Sequence, residues 1–480
     1  MVAELISEPQ TDKNLAEIQR VFDLQKQHQY DMSATSAQQR VARLRAFEEV
    51  FMRYRDRLAE AMLTDLKKPA IEVDITEIYP VVREIKTATT HIHRWMAPQS
   101  VATTIALLGT SSEVHHVSKG VVLIIAPWNY PINLLFYPLV SAIAAGNCVI
   151  LKPSELAPKT AAVMAELIRE AFDEREVAIF EGDAETAKAL LRLPFNHVFF
   201  TGSPAIGKVV MQAAAVNLTS VTLELGGKSP VIIDQTANLN DAVGKICAAK
   251  FINAGQTCIA PDYVLIHESI EAAFVEKMKA HIAKGYGNDP KISESLARIV
   301  NSRHTGRIKN LLDEAVSMGA NVVCGGPTDL DENYIAPTIL TKVPVDAAIM
   351  SEEIFGPVLP IVTYRTLDEA IQFVQAKHPP LALYIFSSNR KNKKNILANT
   401  QSGDVCINDC ALHFLNDNLP FGGHNNSGIG KGHGEAGFKA FSHSRGVLRQ
   451  QTILNVFRIF YPPYTNFARR LFNLVIKLKL

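Results

Sequence analysis

The stretch Phe251-Ile252-Asn253-Ala254-Gly255-Gln256-Thr257-Cys258 ends in a thiol, with a glycine before it that can bend the chain. Upstream, Glu224 stands in Leu223-Glu224-Leu225-Gly226-Gly227-Lys228, and Asn129 in Pro127-Trp128-Asn129-Tyr130-Pro131. Thiol, carboxylate and amide together suit an enzyme that attacks a carbonyl: a nucleophile, a base, and a donor for the oxyanion. Each also has a plainer reading. A cysteine in a helical, half-apolar context is usually a small core residue. Glu224 reads as a surface glutamate at a strand end, and Asn129 as a loop side chain capping its own turn.

The elements that must position these groups can be read along the chain. With 480 residues, two or three domains are expected. Residues 15–66 read as helices, with Val41, Leu44, Phe47, Phe51, Tyr54 and Leu58 at three- and four-residue spacing. Pro69 interrupts them, and 72–95 is helical again. Residues 100–118, rich in Thr, Val, Ile and Ser around Gly109, read as a hairpin, either on the surface or as an oligomerisation arm. From Gly120, β-branched runs alternate with helices: 121–125, 148–151, 197–200, 221–223 and 231–233 are strands. A second series places strands at 263–267, 321–324, 358–364, 381–387 and 405–407. This is an α/β class with parallel sheets covered on both faces, which bind ligands at the carboxyl ends of their strands.

Composition narrows the function classes. Hydrophobic residues make up 47% and charged residues 20%, ordinary for a globular protein, and a net charge of +1 gives no reason to expect nucleic acid. The six cysteines are dispersed, with no CxxC pair, so neither a disulfide scaffold nor a metal site is expected. The N-terminus carries acids and no apolar run, which leaves the cytoplasm as the default compartment.

A cofactor site is suggested by Phe200-Thr201-Gly202-Ser203-Pro204-Ala205-Ile206-Gly207-Lys208, which follows a strand and opens a helix. It matches neither GxGxxG nor GxxxxGK[ST], yet a glycine turn at a helix N-terminus presents N–H groups to an anion. Leu151-Lys152-Pro153-Ser154-Glu155 follows another strand, where Lys152 and Glu155 suit ribose hydroxyls or, more plainly, are an exposed lysine and a capping glutamate.

These motifs occur in a known order. With Glu352-Glu353-Ile354-Phe355-Gly356-Pro357-Val358, Leu419-Pro420-Phe421-Gly422-Gly423 and Asn426-Ser427-Gly428, the chain resembles an NAD(P)-dependent aldehyde dehydrogenase over roughly residues 20–445. The short N-terminus and Trp-Asn-Tyr-Pro resemble the class 3 branch, which includes fatty aldehyde and coniferyl-type enzymes. The resemblance implies a Rossmann-type cofactor domain (1–99 and 119–225), an α/β catalytic domain (226–404), and a β bridging arm for a homodimer (100–118 with 405–450). It implies Cys258 as nucleophile, Asn129 as oxyanion donor and Glu224 as the base for thioester hydrolysis. It also implies cofactor contacts from Pro127, Trp128, Lys152, Pro153, Ser154, Glu155, Thr201, Gly202, Ser203, Gly207, Leu225, Gly226, Glu353 and Phe355. NAD is the expected cofactor, with NADP not excluded.

The expected substrate is an apolar aldehyde, long-chain or aromatic, with Tyr130, His413 and Phe414 as lining residues. His424-Asn425 and Lys431-Gly432-His433 depart from the class 3 pattern and leave the choice of aldehyde open. The tail 451–480 contains an amphipathic run in which Phe467, Leu471, Leu474, Val475 and Leu478 share a face edged by Arg469, Arg470, Lys477 and Lys479. It is too short to span a bilayer, and suits a membrane interface, an entrance cover, or docking on the protein's own surface. Two rivals remain: a cysteine hydrolase, which would want a histidine beside the cysteine, and a non-catalytic member that keeps only the fold.

Overall fold

The structure is a computed structural model describing residues 9–104, 107, 109–451 and 455–478. Strand Val121–Ile125 shows why the first sheet is buried on both faces. Val122 and Ile124 pack with Leu44, Phe47 and Phe51 of the N-terminal helices on one side. Val121 and Leu123 pack with Ile18, Val21 and Phe22 on the other. A continuous apolar run is what such a strand requires. Its sheet runs Gly428–Ile429, Ser220–Leu225, His197–Gly202, Val121–Ile125, Cys148–Lys152, Val177–Ile179, parallel except for the short Gly428–Ile429. Strand Val177–Ile179, only three residues long, is absent from the sequence reading above.

The second sheet runs Asn321–Cys324, Thr338–Thr341, Val358–Tyr364, Tyr263–His267, Pro230–Ile233, Ala382–Phe386, Asp404–Ile407, with only Asn321–Cys324 antiparallel. Asp404–Ile407 therefore closes this sheet rather than opening the arm. The arm itself is a three-stranded antiparallel sheet of Gln99–Val101, Thr110–Ser118 and Ser442–Gln450. Thr110 lies opposite Gln450 and Ser118 opposite Ser442, so a segment near the C-terminus returns to pair with the hairpin.

The two large sheets present opposite ends to the space between them. From the first come residues at strand carboxyl ends: Gly202, Glu224, Leu225, and Pro127 just beyond Ile125. From the second come residues just before strand amino ends: Cys258 before Tyr263, Phe355 before Val358, Leu381 before Ala382. The carboxyl-end expectation holds for the first sheet and is reversed in the second.

Among the described residues no helix is long and apolar enough to cross a membrane. The tail forms helix Asn466–Leu478, in which Ala468 is buried while Phe467, Leu474, Ile476 and Leu478 are exposed. Residues 479 and 480, with Lys479 of the basic edge, lie outside the described residues.

Candidate active site

Cys258 sits in a turn, not in a helix as its context suggests. Helix Leu239–Phe251 ends, and a 3-10 turn Ile252–Gly255 follows. Asn253 and Ala254 have φ of 51°, and Gly255 of 76°, three left-handed residues in succession. A Cβ on Gly255 would lie 2.3 Å from the Gly356 carbonyl, so only glycine fits. The cysteine loop and the Glu352–Val358 motif are thus interlocked. Gln256 is fully buried and pins the turn. Its amide donates to the carbonyls of Asn253 and Arg298 (both 2.9 Å), and its side-chain oxygen accepts from Val300 N–H (2.9 Å).

The Asn129 amide donates to the Gln256 carbonyl (3.0 Å), and its second N–H has no partner among the described residues. The loop that carries it is anchored from beneath by a fully buried ion pair. Lys68 Nζ donates to Glu77 (2.9 Å) and to the Asn129 carbonyl (3.3 Å), and lies 4.0 Å from the Tyr130 ring centroid. Glu77 also accepts from the N–H groups of Ile132 (3.1 Å) and Asn133 (2.9 Å). Glu77 lies in a single π-helical turn, Asp74–Ile78.

Glu224 is 3% exposed on strand Ser220–Leu225, across from Thr201 on one side and Gly428 on the other. Both carboxylate oxygens are enclosed with no hydrogen-bond partner among the described residues. Burial holds its pKa well above the usual carboxylate range, opposed by Lys431 and reinforced by Asp404. Burial, then the carboxylates of Glu353 and Glu224, push the Cys258 thiol up to about 12. At neutral pH the thiol keeps its proton, and a base would have to remove it for the sulfur to act as a nucleophile.

A cavity of about 280 Å³ joins these groups: Asn129, Glu224 and Cys258 all line it. Pro127, Trp128, Thr201, Gly202, Ser203, Leu225, Gly226, Glu353 and Phe355 line it too. Phe355 has φ of 50° and meets Trp128 edge-on with centroids 5.5 Å apart. A bulky residue held left-handed marks a strained, over-determined position. Burial and then Asp262 raise Glu353 to about 8. The Thr201 hydroxyl is enclosed without a partner among the described residues. An aromatic wall, an unpaired hydroxyl and a buried carboxyl beside a helix N-terminus fit a nicotinamide dinucleotide, whose sugars offer hydroxyls and whose phosphates seek N–H groups.

Lys152, Pro153, Ser154, Glu155 and Gly207 lie outside this cavity. Lys152, 2% exposed, donates to the Pro153 carbonyl (2.7 Å) and sits 3.8 Å from the Glu155 carboxylate. Lys152, Pro153, Ser154 and Glu155 follow the next strand end, one strand further out. Ser203 spends its hydroxyl capping helix Pro204–Val216, accepting from Ile206 N–H (3.4 Å). Gly207 faces Leu225, where a Cβ would come within 2.7 Å, so its lack of a side chain serves close helix–strand packing rather than ligand contact.

A second cavity of about 160 Å³ opens on the other side of Cys258. Tyr130, Thr257, Ile259, Leu412 and Phe414 are among its walls, and they are overwhelmingly apolar. The Tyr130 hydroxyl pairs with Thr257 Oγ1 at 2.6 Å. His413 does not line it. The 3-10 turn Leu412–Leu415 aims that ring inward, between Tyr384 and Phe421 (centroids 6.1 and 6.0 Å). Tyr137, His304 and Arg307, none of them among the expected contacts, also line the first cavity. Their signal was helical spacing: His304 and Arg307 are three apart, and so are Leu134 and Tyr137.

Comparison with known proteins agrees with this architecture. The profile of the Aldehyde dehydrogenase family matches residues 4–447. The 4,4'-diaponeurosporen-aldehyde dehydrogenase of Staphylococcus aureus is 44% identical over 88% of this chain and 92% of its own length. Aldehyde dehydrogenase family 3 member B2 of Mus musculus is 40% identical over 91% of this chain and 90% of its own. Among solved structures, a substrate-bound state of Staphylococcus aureus AldH superposes with a TM-score of 0.92 at 41% identity, covering 96% of this chain and 99% of that one. An NAD+ complex of aldehyde dehydrogenase from Bacillus cereus gives 0.83 at 26% identity, covering 91% and 89%. The chain belongs to the aldehyde dehydrogenase family, and is an NAD(P)-dependent oxidoreductase that converts aldehydes to acids.

Proposed function

We propose that this enzyme oxidises an apolar aldehyde, long-chain or aromatic, through a thioester on Cys258. The observation that carries the reading is the placement of Cys258 in the walls of two cavities, one lined by Trp128, Glu353 and Phe355 and the other almost wholly apolar. The aldehyde enters from the apolar side and its carbonyl carbon meets Cys258 Sγ. Glu224 takes the thiol proton, and sulfur attacks. The free N–H of Asn129 and the Cys258 main-chain N–H hold the oxyanion, a donor set whose members are each worth about 3 kcal/mol. The nicotinamide cofactor, when bound, accepts the hydride. Once it has released the thiol proton, Glu224 removes a proton from water, which attacks the acyl carbon and frees Cys258, and the remaining proton of the acid restores the thiol. Trp128, Phe355, Glu353, Thr201 and Gly226 are the residues we assign to the cofactor, with Lys152 and Glu155 reaching its adenosine ribose.

Among the described residues strand Ser442–Gln450 is paired along one edge, with Thr110–Ser118, which supports pairing between two copies as a homodimer. The exposed apolar side of helix Asn466–Leu478 supports a contact at a lipid surface or at the entrance of the apolar cavity. A kinetic screen from short aliphatic to long-chain and cinnamyl aldehydes, with NAD and with NADP, tests the substrate reading. The expected result is kcat/KM rising with apolar chain length or aromatic size. A preference for short, polar aldehydes would overturn it.

A further inference from the structure

Behind Glu224 lies a second group of enclosed polar atoms. Tyr137, on helix Asn133–Ala145, lines the same cavity as Glu224 and Cys258 and is 1% exposed. Its hydroxyl and His433 Nε2, like both Glu224 oxygens, are buried with no hydrogen-bond partner among the described residues. The Tyr137 and His433 rings lie against each other, centroids 4.5 Å apart. On its other side His433 lines a surface cavity of about 400 Å³ together with Asp417, Arg94 and Glu435. The ring pair therefore stands between the catalytic cavity and the outer face, enclosed by Phe414 and Phe421 (4.6 and 5.3 Å from His433).

Backbone strain gives a second, independent sign. His433 has φ of 67°, left-handed for a residue with a ring, and Gly434 follows at 49°. A Cβ on Gly434 would meet the Asp417 carbonyl at 2.1 Å. Strained φ held at such a position is characteristic of functional sites. Asp417, 6% exposed, accepts from Arg83 (2.8 Å) and Thr87 (2.6 Å) at the outer end.

The overall reaction demands an exit for protons. Oxidation of RCHO by NAD+ and water gives RCOO−, NADH and two protons; one comes from the Cys258 thiol and one from the water. Glu224 is the base that collects them. The apolar cavity offers no carrier, and the other side is the cofactor's.

We propose that the protons collected by Glu224 leave through the Tyr137 hydroxyl and the His433 imidazole to the Asp417 face. This rests on the thioester reading above. As water attacks the acyl carbon, one of its protons passes to the Glu224 carboxylate, the C–S bond breaks, its electron pair returns to Cys258 sulfur, and that sulfur takes the remaining proton of the new carboxylic acid to become the thiol again. The Glu224 carboxyl then gives its proton to the Tyr137 oxygen as the Tyr137 proton moves to His433 Nε2. His433 releases one proton toward Asp417 and solvent, so each group ends as it began. No two of these groups are hydrogen-bonded to each other among the described residues, so each transfer takes an internal water held between their unpartnered atoms. Burial and the nearby Glu224 keep the Tyr137 hydroxyl protonated, and burial keeps His433 neutral at rest, near a pKa of about 4. Tyr137 and His433 are thus positioning and relay residues, one step behind the reacting atoms.

Rapid-quench mass spectrometry of single turnovers in Tyr137→Phe and His433→Asn tests the route. Asparagine tolerates the left-handed backbone, and phenylalanine keeps the ring packing. The expected result is acyl-enzyme decay slowed roughly tenfold or more in each variant. The NADH burst rate should be unchanged, the double variant no slower than the worse single one, and added imidazole should restore His433→Asn. Wild-type decay in both variants overturns the relay alone. Equal slowing of burst and decay with no rescue by imidazole overturns it too, in favour of packing. If the wild-type enzyme never carries an acyl group on Cys258, the thioester reading fails and the relay fails with it.

Discussion

At the residue scale, the chemistry we propose rests on three short motifs that a local reading can find. Cys258, Glu224 and Asn129 sit in segments whose glycines and prolines announce unusual backbone, and the structure brings all three to one cavity. The direction of a side chain is harder to read. His413 and Phe414 are neighbours, and the turn that sends Phe414 to the apolar cavity sends His413 away from it. No pattern in the sequence distinguishes them, because a 3-10 turn has no fixed inside until its neighbours are placed. Asn129 gives a clean test at this scale, since its amide has one N–H committed to the Gln256 carbonyl and one to spare. Asn129→Ala is expected to lower kcat about a hundredfold or more with KM little changed, as measured in steady-state assays. A loss confined to KM would remove Asn129 from the oxyanion site.

At the scale of elements, the strands were legible wherever β-branched runs were continuous, and illegible where a strand is three residues long, as at Val177–Ile179. The reversed polarity of the second sheet was hidden as well, since strand order, and hence which end faces the cleft, is a tertiary property. So was the buried Lys68–Glu77 pair, which in sequence is two charges in a helical region. Removing one partner of such a pair strands the other charge. Glu77→Gln should therefore cost about 3–5 kcal/mol in urea unfolding, and should lower kcat more than a surface Glu→Gln control because the Asn129 loop loses its anchor. Stability equal to that control would show the pair to be dispensable. Glu84 offers a pH test. It is 2% exposed, accepts from Gly434 N–H (2.9 Å) and Ser141 (3.1 Å), and burial raises its pKa to about 7. The unfolded chain ionises it at about 4.3, so it favours the fold below that pH and the contribution is lost as pH rises through the folded value. Glu84→Gln should flatten this decline when urea midpoints are compared at about pH 5 and about pH 8. An unaltered slope would assign the pH dependence elsewhere.

At the scale of the whole molecule, two α/β sheets and an arm are arranged so that Cys258 lines two cavities, one shared with Trp128, Glu353 and Phe355 and the other apolar. The order of motifs along the chain carried the family, and the family carried the architecture. The size of the apolar cavity and the chain's reach around it came only from the fold. The tail helix is the part whose role depends most on the substrate. Removal of residues 465–480 is expected to leave turnover of a short aldehyde unchanged, while shifting chain-length preference or abolishing sedimentation with lipid vesicles. If neither changes, the helix has no part in substrate delivery. The claim on which everything else depends is that Cys258 carries the acyl group. The most direct measurement is intact-protein and peptide mass spectrometry of Glu224→Gln quenched within one turnover of aldehyde and NAD+. The account predicts a stoichiometric acyl adduct on the Cys258 peptide, formed in step with NADH but more slowly than in the wild-type enzyme, because Glu224 also takes the thiol proton, and persisting once formed. NADH formation with Cys258 unmodified, or an adduct on another cysteine, would contradict it.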